Sequence, residues 1–143
     1  MPRSAKLLMG LAAVLLMGWL YHGPFGNGAA FIDRLEGQAR AAVATTGLPG
    51  IDVRLGRNPL NRAATLSGAA DPFQREGQGE LKGLNDLVGE VEGVSAVGWS
   101  DQGGAPQGLP LLAELLAWLV LAFAVGVGLG WLLFGRPKRE SYL

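Results

Sequence analysis

Proton-transfer chemistry in this chain would have to run through one imidazole. His22 is the only histidine, and there is no cysteine. Thiol catalysis, disulfides and cysteine metal sites are therefore excluded. A hydrolytic triad needs a base beside its nucleophile and an acid behind that base. Ser67, Ser95 and Ser100 have no base at motif spacing, and His22 follows an apolar run beside a turn-rich linker. It reads as an interfacial residue rather than a base or metal ligand. Glu76 and Glu80 stand four apart, as do Asp86 and Glu90. On a helix each pair would lie one turn apart and could hold a hard cation. Carboxylates at that spacing are more often a solvated face, and a solvated face is expected. Walker and EF-hand signatures are absent from the sequence. No catalytic, cofactor or metal site is expected, and the chain reads as non-enzymatic.

The remaining candidate chemistry is charge. Arg54, Arg57 and Arg62 flank an expected hairpin and could form a basic patch for lipid headgroups or an acidic partner. With Asp52 among them, the competing reading is ordinary hairpin surface. The whole chain balances 12 Lys/Arg against 12 Asp/Glu, so nucleic acid is not an expected partner.

These groups are positioned by an unusual frame. A 143-residue chain has room for one domain plus extras. Its apolar residues, 49 % of the total, concentrate at both ends. The first run, about Ala5 to Tyr21, approaches the ~20 residues that span a bilayer. It follows the basic leader MPRSAK, so a cleaved signal peptide is the rival to a signal anchor. Trp19 and Tyr21 at its end suit an interfacial anchor and favour the uncleaved reading. The second run, Leu111 to Phe134, has 24 residues and a single carboxylate, Glu114. It is long enough to span with some tilt. Arg136, Lys138 and Arg139 follow it, and Arg3 and Lys6 flank the first run. Basic residues near span ends prefer the cytoplasm, so both termini are expected inside. The intervening Gly23 to Leu109 carries seven Lys/Arg against ten Asp/Glu, about −3 net. It is expected outside, which in a bacterium with two membranes is the periplasm.

Glu114 would then lie near the outer interface, within reach of water, which suits a carboxylate one turn inside a span. Gly126 and Gly130 form a G-x-x-x-G pair around Gly128. Small residues let helix backbones approach, so this pair is the expected packing face toward the first span or a partner.

Between the runs, linkers are expected at 23–30 and 101–110, with a folded domain at 31–100. AFIDRLEGQARAAVATTG places Phe31, Leu35, Ala39, Ala42 and Val43 at helical spacing, with Gly47 as a stop. GIDVRLG alternates Ile51, Val53 and Leu55 against Asp52 and Arg54, which is strand spacing. Pro59 marks a turn, and RAATLSG reads as a second strand. Asp71-Pro72 opens a second helix. Leu81, Leu84, Val88 and Val91 share one face of it, although four glycines weaken it. That helix is expected to close at Gly93, and Val94 to Trp99 to form a third strand. Trp99 is expected in the core, the alternative being an exposed contact at the sheet edge. The fold class is thus α+β: an α-β-β-α-β domain between two transmembrane helices at 1–22 and 111–135, with a basic tail at 136–143. Two helices on one face of three strands can bury a small core.

This order, with IDVRLGRNPLNRAATLSGAA and VEGVSAVGW, resembles a BON domain. ATLSGAA matches the family's Leu-x-Gly element, with Ala69 in place of the usual β-branched residue. VEGVSAVGW matches the closing motif through Val91, Gly93, Val94 and Val97. The similarity covers about half the chain, residues 30 to 100. It is nearest to the membrane-anchored BON-like segment that opens some alphaproteobacterial OmpA-family envelope proteins. Those continue into a peptidoglycan-binding domain, whereas this sequence returns to an apolar run. The resemblance implies a non-catalytic binding module for envelope proteins or phospholipid surfaces. The expected function is an inner-membrane accessory, scaffolding or assembly subunit. Membrane lipids and other inner-membrane subunits are its expected partners. The alternative is an envelope or phospholipid-binding module.

Overall fold

The computed structural model describes residues 2–103 and 106–135. The basic tail, with Arg136, Lys138 and Arg139, lies outside them. The first apolar run forms α1, Arg3–His22, and its last turn closes where Gly23 N–H donates to the Trp19 carbonyl at 3.0 Å. Pro24 follows, and a residue before proline is driven out of helical geometry. After four residues the chain re-enters a helix, α2, Asn27–Ala44. The expected linker at 23–30 is thus cut to Gly23–Gly26. Ile32, Leu35, Ala39 and Val43 are buried along one face of α2. Thr45 and Thr46 hydroxyls donate to the Ala42 and Val43 carbonyls at 2.6 and 2.7 Å. Gly47 then takes the left-handed conformation that commonly ends a helix.

Strand β1, Asp52–Arg57, turns through Asn58 and Pro59 into β2, Leu60–Ser67. The two are antiparallel, with Val53 opposite Leu66 and Leu55 opposite Ala64. β2 also pairs in parallel with the last strand, Ala96–Trp99, so β2 is the central strand of a three-stranded sheet. A parallel pair cannot be joined by a tight turn. The crossover is residues 68–95.

That crossover corrects the expected single helix. Asp71 caps a short α3, Pro72–Glu76, accepting from the Gln74 N–H at 2.7 Å. A small hairpin follows, β3 at Gly77–Gln78 and β4 at Leu81–Lys82, and then α4, Leu84–Gly89. Gly77 and Gly79 have φ of +74° and +61°, which interrupts any helix here. Gly77 and Gly83 also lie backbone against backbone, where a β-carbon has no room. Glu76 and Glu80 therefore share no helix face, and Asp86 instead caps the Gly83 N–H at 3.1 Å. Helix α4 ends four residues before Gly93, and β5 is the shorter Ala96–Trp99.

The core lies between the sheet and α2 with α4. Ile32, Leu35, Val53, Leu66, Leu84, Val88 and Trp99 are buried in it. Full burial of such aliphatic side chains contributes about 1.5–3 kcal/mol each. Trp99 is in the core as expected, its indole N–H donating to Asn85 Oδ1 at 2.8 Å. The other sheet face is covered by part of the expected linker at 101–110. A β-carbon at Gly98 would stand 3.1 Å from Pro106, and one at Gly108 3.1 Å from the buried Ala63. Asn61 bridges to Pro110. Helix α5, Leu111–Phe134, starts there.

The chain is thus mixed α+β, with five helices and a small sheet among the described residues. Helices α1 and α5, at either end, are long and apolar enough to cross a membrane. At about 1.5 Å per residue they measure about 30 and 36 Å.

Candidate functional site at the junction of the terminal helices and the central domain

Both apolar helices join the central domain at one end, and the side chains there set its orientation. On the α1 side, the Gly23–Gly26 elbow is tight because Gly28 lies against His22. A β-carbon at Gly28 would stand 2.5 Å from His22 Nδ1 and 2.9 Å from the His22 carbonyl oxygen. His22 is half-buried, a packing element of the elbow. Asn27 adds a hydrogen bond from Nδ2 to the Tyr21 carbonyl at 3.3 Å.

On the α5 side the contact is ionic. Arg62 of β2 donates from Nε to Glu114 Oε2 at 2.8 Å and from Nη2 to Glu114 Oε1 at 3.1 Å. Its Nη1 donates to the Gly93 carbonyl at 2.8 Å. The side chains are only 29 % and 19 % exposed. One guanidinium therefore joins β2, the turn before β5, and the first turn of α5. A two-point, charge-assisted fork fixes orientation as well as distance. Glu114, expected to be solvated at an interface, is instead sequestered by this arginine.

The other hairpin arginines are also engaged, so Arg54, Arg57 and Arg62 do not form a patch of free cations. Arg57 pairs with Asp33 and with Glu36, the latter at 3.2 Å. Arg54 binds Asp52 at 3.0 Å and is the most exposed of the three. Its hydrogen bond holds the Asp52 carboxyl below the usual carboxylate range, with help from Arg40 and the Val53 N–H.

Glu36, which spacing alone did not single out, organises this side. It is buried, and it accepts from the Leu55 N–H at 2.9 Å and from Arg40 at 2.8 Å. Arg40 Nε donates to the Val53 carbonyl at 3.1 Å. Two backbone groups of edge strand β1 thus have side-chain partners from α2. Edge strands left open are templates for pairing with another chain, and this one is occupied. A buried carboxylate also signals a ring of donors around it, since an unpaired one is costly.

Of the seven Lys/Arg in the central domain, Arg40, Arg54, Arg57, Arg62, Arg75 and Lys82 each pair with a carboxylate. Arg34 is the exception among the described residues, and it lies on α2 near the elbow.

Helices α1 and α5 pack antiparallel. Gly18 meets Leu116 and Leu119, and Gly10 meets Phe123, so falling numbers in α1 match rising numbers in α5. The small residues at this contact belong to α1. Among the described residues a β-carbon at Gly126, Gly128 or Gly130 would meet nothing within 4 Å, so this G-x-x-x-G face does not form the contact with the first helix and only the expected packing toward a partner is left to it. Among the described residues no group of three or more potential metal ligands comes together.

Comparison with known protein families, characterised proteins and solved structures gives no match. The arrangement itself must carry the functional reading. It is a short elbow, an ionic clamp and a sheet-covering strap, all acting to hold one domain in one pose on a helical pair.

Proposed function

We propose that this chain is a non-enzymatic two-span inner-membrane protein that presents a BON-like domain on the periplasmic side. Its role would be that of an accessory, scaffolding or assembly subunit of a larger membrane complex. The observation that carries the reading is the Arg62–Glu114 clamp. With the four-residue elbow and the strap over the sheet, it fixes the domain relative to α5. A tethered sampling module needs a loose linker, whereas a scaffold needs a fixed pose. The order α2-β1-β2-α4-β5 supports the BON-like reading, with the α3 turn and small hairpin as additions to its crossover. The antiparallel α1–α5 pair supports two spans with both termini on one side.

The absence of cysteine makes the test clean. Single cysteines at Gln102 and at Glu80 should react with a membrane-impermeant maleimide in intact spheroplasts. Labelling only after lysis would place the domain in the cytoplasm and end the topology reading. Mild-detergent purification with mass spectrometry of co-purifying chains tests the second half. A stoichiometric set of membrane subunits is expected. Purification of this chain alone would count against a subunit role.

A further inference from the structure

Two cavities stand end to end at the junction. One, about 450 Å³, is a wholly apolar groove between α1 and α5, lined by Val14, Met17, Gly18 and Leu119 among others. The second, about 340 Å³, lies between the end of α1, the first turns of α5 and the start of α2. His22, Asn27 and Arg34 bring polar groups to it. Tyr21 and Leu115 line both, so the apolar groove and the polar cavity adjoin. Both volumes are in the range of small-molecule sites, ~300–1,000 Å³.

We propose that this composite cavity binds one anionic phospholipid of the surrounding bilayer. An acyl chain would lie along the α1–α5 groove and the phosphate would sit against Arg34. The proposal rests on the two-span reading, since only then does the groove face lipid. Charge selects the headgroup. Every other cation of the central domain has a carboxylate partner among the described residues, while Arg34 has none. Among the described residues no carboxylate lines the polar cavity. A guanidinium matches phosphate geometry at two points and gains strength beside an apolar wall. Position selects the source. The cation lies at the domain end of an apolar groove, the relation a phosphate bears to its own acyl chain. A water-soluble phosphate would leave the groove unused, and an apolar helix from a partner would leave Arg34 unused.

The test uses the full chain, delipidated in mild detergent and titrated with phosphatidylglycerol or phosphatidylcholine under native mass spectrometry. One phosphatidylglycerol per chain should be retained, at least tenfold tighter than phosphatidylcholine. Arg34→Ala should weaken it about tenfold, the scale of one charge-assisted hydrogen bond. Arg34→Lys should fall between. Ala13→Phe, which fills the apolar groove from its exposed wall, should also weaken it. Arg54→Ala, an exposed cation elsewhere, should not. Equal binding of both lipids, or equal effects of Arg34→Ala and Arg54→Ala, would overturn the proposal. So would a co-purifying protein displaced by Ala13→Phe while lipid retention is unchanged. Arg34 is exposed and has no carboxylate partner among the described residues, so its variants should fold, and circular dichroism checks this. Maleimide labelling is independent: a cytoplasmic domain that still retains the lipid would end the topology reading and leave the site standing.

Discussion

Arg62 and Glu114 are 52 residues apart in the chain and meet through two hydrogen bonds, at 2.8 and 3.1 Å. Because both are mostly shielded from solvent, removing one leaves the other short of a partner. Arg62→Ala also frees the Gly93 carbonyl. It should therefore cost more than Glu114→Gln, on the order of 2–3 kcal/mol against about 1 kcal/mol. The double variant should recover part of the sum, with a coupling of about 1 kcal/mol. Thermal unfolding of the four proteins in one detergent measures this. Strict additivity would mean that the pair does not hold the domain.

Glu36 carries the second prediction. Glu36→Ala removes the acceptor of the Leu55 N–H and a shared partner of Arg40 and Arg57. The arginines are half-exposed and can turn to water, so the main loss is the backbone group. A cost of about 2–4 kcal/mol is expected, with a smaller one for Glu36→Gln, which keeps an acceptor. Glu36→Ala should also associate more readily, because part of the β1 edge opens. Denaturation and light scattering at matched concentration read both effects. A monodisperse Glu36→Ala of native stability would refute the assignment.

Much of this fold was legible in the chain. The apolar runs, the alternation at Ile51–Leu55 and the burial of Trp99 follow from pattern alone. The break in the second helix was not, because Leu81, Leu84 and Val88 keep helical spacing across it. What overrides that spacing is Gly77 and Gly79 at positive φ and the Gly77–Gly83 contact, which only the folded backbone displays. Glu36 sits in DRLEGQAR, which reads as a solvated helix face until the β1 edge arrives beside it. The partner of Glu114 was beyond reach for the same reason: no local rule pairs a strand arginine with a helix 52 residues on. The G-x-x-x-G at Gly126–Gly130 was expected to face the first span or a partner; the contact with α1 is made through Gly10 and Gly18 instead, which leaves that face to a partner. Which face meets a neighbour depends on helix rotation, set here by Gly10 and Gly18.

Arg75 and Asp101 form a contact that should respond to pH, as Asp52 with Arg54 does. Arg75 lies over the Trp99 ring, 4.0 Å from its centroid, and donates to both Asp101 oxygens at 2.9 and 2.8 Å. These bonds hold the Asp101 carboxyl below its ordinary value of 3.8. A lowered folded pKa means that the contribution is fully present above that ordinary value. It is lost as pH falls through the lower folded one. Wild type should thus weaken on acidification below pH ~4 more steeply than Asp101→Asn, which has no carboxyl to protonate. With Trp19, Trp118 and Trp131 replaced by Phe, Trp99 fluorescence reports the release of Arg75. Identical acid transitions in the two proteins would show that this pair does not matter.

The α1–α5 contact supplies the last prediction. A β-carbon at Gly18 collides with Leu119 and stands 3.3 Å from Leu116, whereas one at Gly126 meets nothing within 4 Å. Gly18→Leu must therefore push the helices apart, at about 1–3 kcal/mol for overpacking. Gly10→Ala should cost less, since its contact is the end of a Phe123 ring at 3.3 Å. Gly126→Leu and Gly130→Leu should leave the isolated chain within about 0.5 kcal/mol of wild type. Thermal unfolding in detergent ranks the four. If Gly126→Leu leaves the isolated chain intact but removes a co-purifying subunit, that face is the contact with a partner. If it destabilises the isolated chain as much as Gly18→Leu does, the helices pack through the opposite face and the groove between them must be redrawn.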